Sequence, residues 1–357
     1  MHIVTFERRE GAALTGDGEP GPESMSTAAL GFEALEGVRL GVRRIGALLP
    51  VGPLAGSVVD LNRALAVKLA AEDAGAPEAE ADSLLPADTL RFLRQLPGSL
   101  QAARRTLEFV LSALERYDAP DLAAAGVVKP RRRVRLCAPV PRPGKIVGVS
   151  RNYPAHAKER GDDPSPTEPV LFLKAPTAVV GPEDEIRLPP ATARVDFEGE
   201  LAAVIGRPAR RVPVEAALDC VAGYCVANDV TARDYQNERG QRFLGKSCDT
   251  FAPLGPALVT ADEIPDPQDL GLRTKVSGEI FQSGRTKEML FPIAEVIAFA
   301  SQLMLLEPGD VLLTGTPAGV GAARVPPRWL RDGDVVEVEV ERVGRLSNYV
   351  KADPRDD

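Results

Sequence analysis

The segment VDFEGELAAVIG, Val195–Gly206, alternates as a strand does. Successive side chains of a strand point to opposite faces. That puts Asp196, Glu198 and Glu200 on one face, with Val195, Phe197, Gly199 and Leu201 on the other. Carboxylates two residues apart on one face stand about 7 Å apart. From Leu201 onward the segment is apolar on both faces, which predicts burial. Buried anions repel one another and lose hydration, so a cation or a proton must compensate. A divalent metal is the simplest single compensation. An acidic strand edge facing water is the other reading of these residues alone.

The rest of the chain narrows the choice. A length of 357 residues suits one large domain or two ordinary ones, and 44% hydrophobic residues can build a sizeable core. Forty-three basic against 51 acidic residues leave a net charge of −8, which argues against a broad attraction to nucleic acid or anionic lipid. No apolar run approaches the roughly 18 residues of a membrane span, and MHIVTFERRE has no signal-peptide pattern, so no membrane association and a cytoplasmic location are expected. Cys137, Cys220, Cys225 and Cys248 form no C-x-x-C pair, and His2 and His156 are the only histidines. That disfavours a thiolate–imidazole zinc site. A metal here must be held mainly by oxygen, which suits Mg²⁺, Mn²⁺ or Ca²⁺.

Upstream, Met1–Glu7 and Arg44–Leu49 read as short strands flanking a Gly/Glu/Ala/Ser-rich insertion at about 8–37, expected to be mobile. Helices are expected over Leu61–Asp73, Pro86–Leu96 and Leu100–Tyr117, with a loop over Ala74–Asp82. The basic run KPRRRVR, Lys129–Arg135, reads as a solvated linker, and a boundary at about residue 136 divides an N-terminal domain, 1–135, from a catalytic domain, 136–357. Beyond it, strands recur at Lys145–Val149, Val170–Lys174, Val195–Ile205, Ala222–Ala227, Ala257–Thr260, Arg273–Val276, Val311–Thr314 and Val335–Val340, with one clear helix over Ile293–Met304. Many strands and few helices predict a mixed β architecture rather than alternating βαβ units.

Asp229 follows the apolar run VAGYCVA and is placed to join Glu198 and Glu200 as a third oxygen ligand, leaving positions open for water or a chelating substrate. Asp234 is expected to pair with Arg233 or cap local backbone. His156 lies in RNYPAHAKERG with Glu159 three residues on, on the same helical face, so the carboxylate can orient the imidazole and raise its basicity. Asp162–Pro169 then looks flexible, which would make this helix a lid. Lys246 could stabilise an enolate. The Gly-rich loop LLTGTPAGVG, Leu312–Gly321, lacks a G-K-[ST] ending and excludes a P-loop; its Thr316 hydroxyl is available to a carboxylate.

In order, KIVGVSRNYPAHAKE (145–159), PVLFLKAPTAVVGP (169–182), VDFEGELAAVIG (195–206), GYCVANDVTARDYQ (223–236), GKSCDTFAPLGP (245–256), VSGEIFQSG (276–284) and EPGDVLLTGTPAGVG (307–321) resemble the fumarylacetoacetate hydrolase family over about Lys145–Val350. The N-terminal block is similar to the smaller leading domain of two-domain bacterial members. The resemblance implies an α+β fold, a mixed β-sandwich roll around a deep pocket with a smaller N-terminal α/β domain, and a homodimer. It implies Mg²⁺ or Mn²⁺ held by Glu198, Glu200 and Asp229, and a small-molecule 2-oxo acid or 1,3-dicarbonyl substrate. It implies a His156–Glu159 pair, lysines at Lys174 and Lys246, and substrate contacts at Arg151, Gln236 and Thr316. Ser150, Cys248 and Ser277 depart from the common pattern without removing any of these groups.

The resemblance implies, as the leading expectation, metal-assisted hydrolysis of a carbon–carbon bond in an acylpyruvate-like acid, with His156 as base and Lys246 beside the leaving enolate. Decarboxylation of oxaloacetate or keto–enol isomerisation would use the same platform without an attacking water. A metal-dependent binding protein without turnover is the reading from another class.

Overall fold

The computed structural model describes residues 1–8, 43–49, 54–115, 119–161 and 166–353. The expected mobile insertion therefore lies outside the described residues apart from Arg8, as do residues 162–165 of the segment expected to flex beside His156.

Gly199–Ile205 is an inner strand of the largest sheet. It pairs antiparallel with Val221–Asn228 on one side and Val311–Leu313 on the other. Ile146–Ser150 continues the sheet by a parallel pairing with Val311–Leu313, and Val170–Lys174 forms its edge. On the far side come Ala252–Thr260 and then His2–Arg8, so the N-terminal strands extend the same sheet. A second sheet runs Glu279–Arg285, Gly271–Val276, Val335–Val340, Gly344–Ala352 and Ile186–Leu188. This is the mixed α+β arrangement expected.

The inner strand is apolar on both faces because both faces are covered. Leu201 and Ala203 pack into a core with Leu272, Val336 and Val338 of the second sheet. Ala202 and Val204 face the opposite way, into a core shared with Leu65, Leu93 and Val110 of the N-terminal helices. Each fully buried leucine or valine contributes about 1.5–3 kcal/mol relative to exposure.

Three local expectations are corrected, and two strands are added. The strand expected over Val195–Ile205 is two, Val195–Asp196 and Gly199–Ile205, because the backbone turns at Phe197–Glu198: the Phe197 amide donates to Asp196 Oδ1, and the Glu198 amide to Asn228 Oδ1. The loop expected over Ala74–Asp82 contains the start of a helix, Pro77–Leu84, with Pro77 in its first turn and Ala81 fully buried. The basic run is no free linker: Val134–Cys137 is a strand paired with His2–Arg8, Arg131 pairs with Glu183, and Arg135 pairs with Glu7 and Asp184. Glu279–Arg285 and Gly344–Ala352 are two further strands that were not expected.

Candidate active site and metal centre

The register that pairs Gly199 with Asn228 sets the site. It brings the start of one inner strand beside the end of its neighbour, and Asp229 follows directly. The Asp229 amide donates to the Glu198 carbonyl at 2.8 Å, locking the two acidic segments together. Carboxylate oxygens of Glu198, Glu200 and Asp229 lie within 4.8 Å of one another, and all three residues are buried. The water-facing acidic edge is thereby excluded.

Asp196 does not join them. It accepts the amides of Gly321 and Ala322 and pairs with Arg233. Arg233 reaches on to Glu198 Oε1 at 2.5 Å and to Gln236 Oε1 at 2.9 Å. Sequence reasoning missed this arginine by treating it only as a partner for Asp234. Asp234 takes the other expected course and caps local backbone, accepting the Tyr235 amide, and it also accepts the Thr192 hydroxyl at 2.6 Å.

Charge decides what the cluster needs. Lys246 Nζ sits on Glu198 Oε2 at 2.6 Å and also pairs with Asp229. Lys174 Nζ contacts Asp229 Oδ1 at 2.6 Å and the Val230 carbonyl at 3.0 Å. Four buried carboxylates (Asp196, Glu198, Glu200, Asp229) thus face three buried cations (Lys174, Arg233, Lys246). The shortfall falls on Glu200, whose one hydrogen bond among the described residues is from the Gly315 amide at 2.7 Å. Burial, with repulsion from Asp229 and Glu198, pushes the Glu200 carboxyl well above the usual carboxylate range. Burial also works against ionised Glu198, but Arg233 and Lys246 outweigh it and hold that group well below the range. Burial lowers the Lys174 ammonium against the pull of Asp229. Three converging carboxylates, one of them undercompensated, fit a hard divalent cation with oxygen donors.

His156 comes from the short helix Pro154–Glu159. Its Nδ1 lies 2.8 Å from Glu159 Oε1, and its Nε2 stands 3.9 Å from Glu198 Oε1. Glu159 Oε2 accepts the Gly319 amide at 2.8 Å. Gly319 has φ +110, and a Cβ there would meet the Phe281 carbonyl oxygen at 2.0 Å. The Gly-rich loop thus serves Glu159 through Gly319 and Glu200 through Gly315.

A cavity of about 220 Å³ opens over these groups. Arg151, His156, Glu198, Glu200, Asp229, Gln236, Lys246 and Thr316 all line it, with Phe172 as an apolar wall under Lys246 Nζ. Lys174 and Glu159 do not line the cavity: Lys174 stands behind Asp229, and Glu159 behind His156. Thr316 differs from expectation in its chemistry. Gln282 accepts the Gly199 amide at 2.9 Å and therefore turns its Nε2 to the Pro317 carbonyl at 2.8 Å and to Thr316 Oγ1 at 2.6 Å. The Thr316 hydroxyl proton is then donated to the Gly199 carbonyl at 2.8 Å. Its oxygen can still accept, but the proton is not available to a substrate carboxylate. Gln282, which closes this ring, carried no signal in the sequence.

Residues 145–351 match the family described as fumarylacetoacetate (FAA) hydrolase, C-terminal. The chain belongs to the fumarylacetoacetate hydrolase family. It is 45% identical over 271 residues to the human mitochondrial oxaloacetate tautomerase FAHD2A, covering 75% of this chain and 81% of that protein. Among solved structures it resembles the 2-hydroxyhepta-2,4-diene-1,7-dioate isomerase of Mycobacterium marinum, at 43% identity and a TM-score of 0.57 over 64% of this chain and 82% of that one. It also resembles the fumarylacetoacetate hydrolase of Exiguobacterium antarcticum, at 36% identity and a TM-score of 0.66 over 88% of this chain and 96% of that one. The α+β fold is of this family's type. Among the described residues, no helix is long and apolar enough to cross a membrane.

Proposed function

We propose that the protein is a divalent-metal-dependent tautomerase of a short 2-oxo dicarboxylic acid of the oxaloacetate type, with Mg²⁺ or Mn²⁺ held by Glu198, Glu200 and Asp229. The observation that carries this reading is the His156 imidazole, backed by Glu159 at 2.8 Å, facing three converging carboxylates across one cavity. The 45% identity to an oxaloacetate tautomerase supports it. A bound divalent cation would supply positive charge to the 2-oxo oxygen as an enolate develops.

The chain's own residues do the rest. Glu159 fixes the His156 ring with Nδ1 turned away from the cavity, so Nε2 is the atom that exchanges protons with substrate. Nε2 takes a proton from the carbon beside the 2-oxo group, and the imidazolium returns it to the enolate oxygen; the reverse reaction uses the same atom. The Lys246 ammonium lies at the cavity floor near the developing charge. Moving one proton requires no water, so a single base suffices.

Hydrolysis of an acylpyruvate carbon–carbon bond is the second reading, supported by the similarity to the Exiguobacterium hydrolase over 88% of this chain. It asks His156 to activate a water against a distal carbonyl. A homodimer belongs to the proposal: Leu173, Phe243 and Leu244, chain neighbours of the lining residues Phe172 and Arg242, are half exposed, apolar surface that a second copy would cover.

The deciding experiment follows the ultraviolet absorbance of enol-oxaloacetate with the Mg²⁺-loaded protein while CO₂ is measured separately. Accelerated decay without CO₂ is the expected result. CO₂ release at the same rate identifies a decarboxylase, and turnover confined to acetylpyruvate identifies the hydrolase.

A further inference from the structure

The cavity's charges are divided by depth. The acids that line it are the three carboxylates of the metal centre, while Arg151, Arg160 and Arg242 also line it. Arg160 is engaged, with its Nη2 donating to Asn237 Oδ1 at 3.2 Å. Arg151 and Arg242 make no ion pair or hydrogen bond with any described residue, and Arg151 Nε is buried without an acceptor.

The backbone aims both side chains. Arg242 opens the helix Arg242–Ser247, and Lys246 lies four residues later. Residues at this spacing share a helix face, one turn or about 5–6 Å apart. Lys246 points to the floor, onto Glu198 and Asp229, so Arg242 stands one turn nearer the mouth on the same side. Arg151 is held at φ +58, a left-handed conformation that a non-glycine residue keeps only where its surroundings impose it. Two guanidiniums with unspent donors facing one cavity form a site for an anion that the chain does not itself supply.

We propose that Arg242, with Arg151, binds the distal carboxylate of the substrate and makes this site selective for 2-oxo dicarboxylates over 2-oxo monocarboxylates. The proposal rests on the preceding reading in one respect, that the 2-oxo acid head lies over Glu198, Glu200 and Asp229. A short diacid then spans from the floor, beside Lys246, to the guanidiniums one helical turn above. Arg242 is the specificity-determining member, because it is exposed and takes no part in holding the acids below. Arg151 completes a two-sided clamp.

Calorimetry on the Mg²⁺-loaded protein tests this with oxalate (head alone), 2-oxopentanoate (head with an uncharged tail) and 2-oxoglutarate (head with a second carboxylate). Wild type should prefer 2-oxoglutarate to 2-oxopentanoate by about tenfold or more, the value of a charge-assisted guanidinium–carboxylate contact. Arg242→Gln should abolish the preference and leave oxalate affinity unchanged, and Arg242→Lys should restore part of it. An unchanged preference in Arg242→Gln overturns the proposal while the head reading stands. Failure of oxalate to bind wild type overturns both. A preference lost in Arg242→Gln, in a protein that does not tautomerise oxaloacetate, upholds the subsite and sinks the assigned reaction.

Discussion

Glu159 is held from two sides: the Gly319 amide donates to its Oε2, and His156 Nδ1 meets its Oε1, each at 2.8 Å. The Gly-rich loop therefore fixes the carboxylate, and the carboxylate fixes the imidazole. Glu159→Gln keeps an acceptor for one of these partners and removes the negative charge behind the ring. Turnover should fall by about 10²-fold or more, within the range for an impaired general base. Mg²⁺ affinity should not change, since Glu159 stands away from the three carboxylates. Steady-state kinetics with parallel metal calorimetry checks both. A matching loss of metal affinity would remove the dyad from the mechanism.

Glu200 makes an opposite prediction for stability. Without a divalent ion its carboxyl lies well above the usual range through burial and repulsion from Asp229 and Glu198. A carboxyl raised in the folded state favours folding while protonated, and that advantage shrinks as pH rises from the unfolded pKa through the folded one. Glu200→Gln keeps an acceptor for the Gly315 amide and removes the ionisable group. In chelator at neutral pH this variant should melt above wild type. Mg²⁺ should raise the melting temperature of wild type alone, and its binding should release protons, seen as a buffer-dependent heat. Thermal melts of the two proteins with and without Mg²⁺ decide it; a lower melting temperature for Glu200→Gln in chelator would contradict the charge count.

Much of this site was legible because chemistry stood out against composition. Acids inside apolar runs marked Glu198, Glu200 and Asp229, and the scarcity of histidine marked His156. What was not legible depended on partners distant in the chain. Strand alternation put Asp196 beside Glu198, but Arg233 and the Gly321 amide draw Asp196 elsewhere and the strand breaks between them. Arg135 looked solvated because Glu7 lies 128 residues away. Gln282 looked like any strand glutamine, although its partner amide, Gly199, is 83 residues distant. In the fold, a continuous apolar run marked Gly199–Ile205 as a buried strand, whereas the half-exposed Glu279–Arg285 strand carries no such run.

At Gly199 the second sheet approaches the strand that carries Glu200 closely. A Cβ at this position would lie 2.1 Å from Thr274 Oγ1 and 2.9 Å from Val338 Cγ1. Gly199→Ala should therefore cost about 1–3 kcal/mol, the usual penalty for overpacking a core. Thr274 Oγ1 is buried without a partner, so Thr274→Ala removes the nearer obstacle without breaking a hydrogen bond. Adding it to Gly199→Ala should recover part of the loss. Urea denaturation of the two single variants and the double variant measures the coupling. Strict additivity would show that the clash is relieved by backbone movement instead.

The ring of Gly199, Gln282 and Thr316 should report on metal binding as well as stability. Gln282 bridges the amide between Glu198 and Glu200 to the loop that serves Glu159 and Glu200. Gln282→Leu leaves the Gly199 amide and the Pro317 carbonyl buried without that partner, at about 1–3 kcal/mol each. The Gly199 peptide lies between Glu198 and Glu200, so releasing it loosens the geometry of two ligands together. Gln282→Leu should lower Mg²⁺ affinity roughly 10- to 100-fold, the range seen when groups that orient metal ligands are removed. Thr316→Val breaks the ring at its other member but leaves Gln282 on the Gly199 amide and the Pro317 carbonyl, so its effect should be smaller. Calorimetric titration of the folded variants, each checked by circular dichroism, tests the order. Equal losses would place the orienting force in Thr316, and unchanged Mg²⁺ affinity in Gln282→Leu would reduce the ring to a packing role.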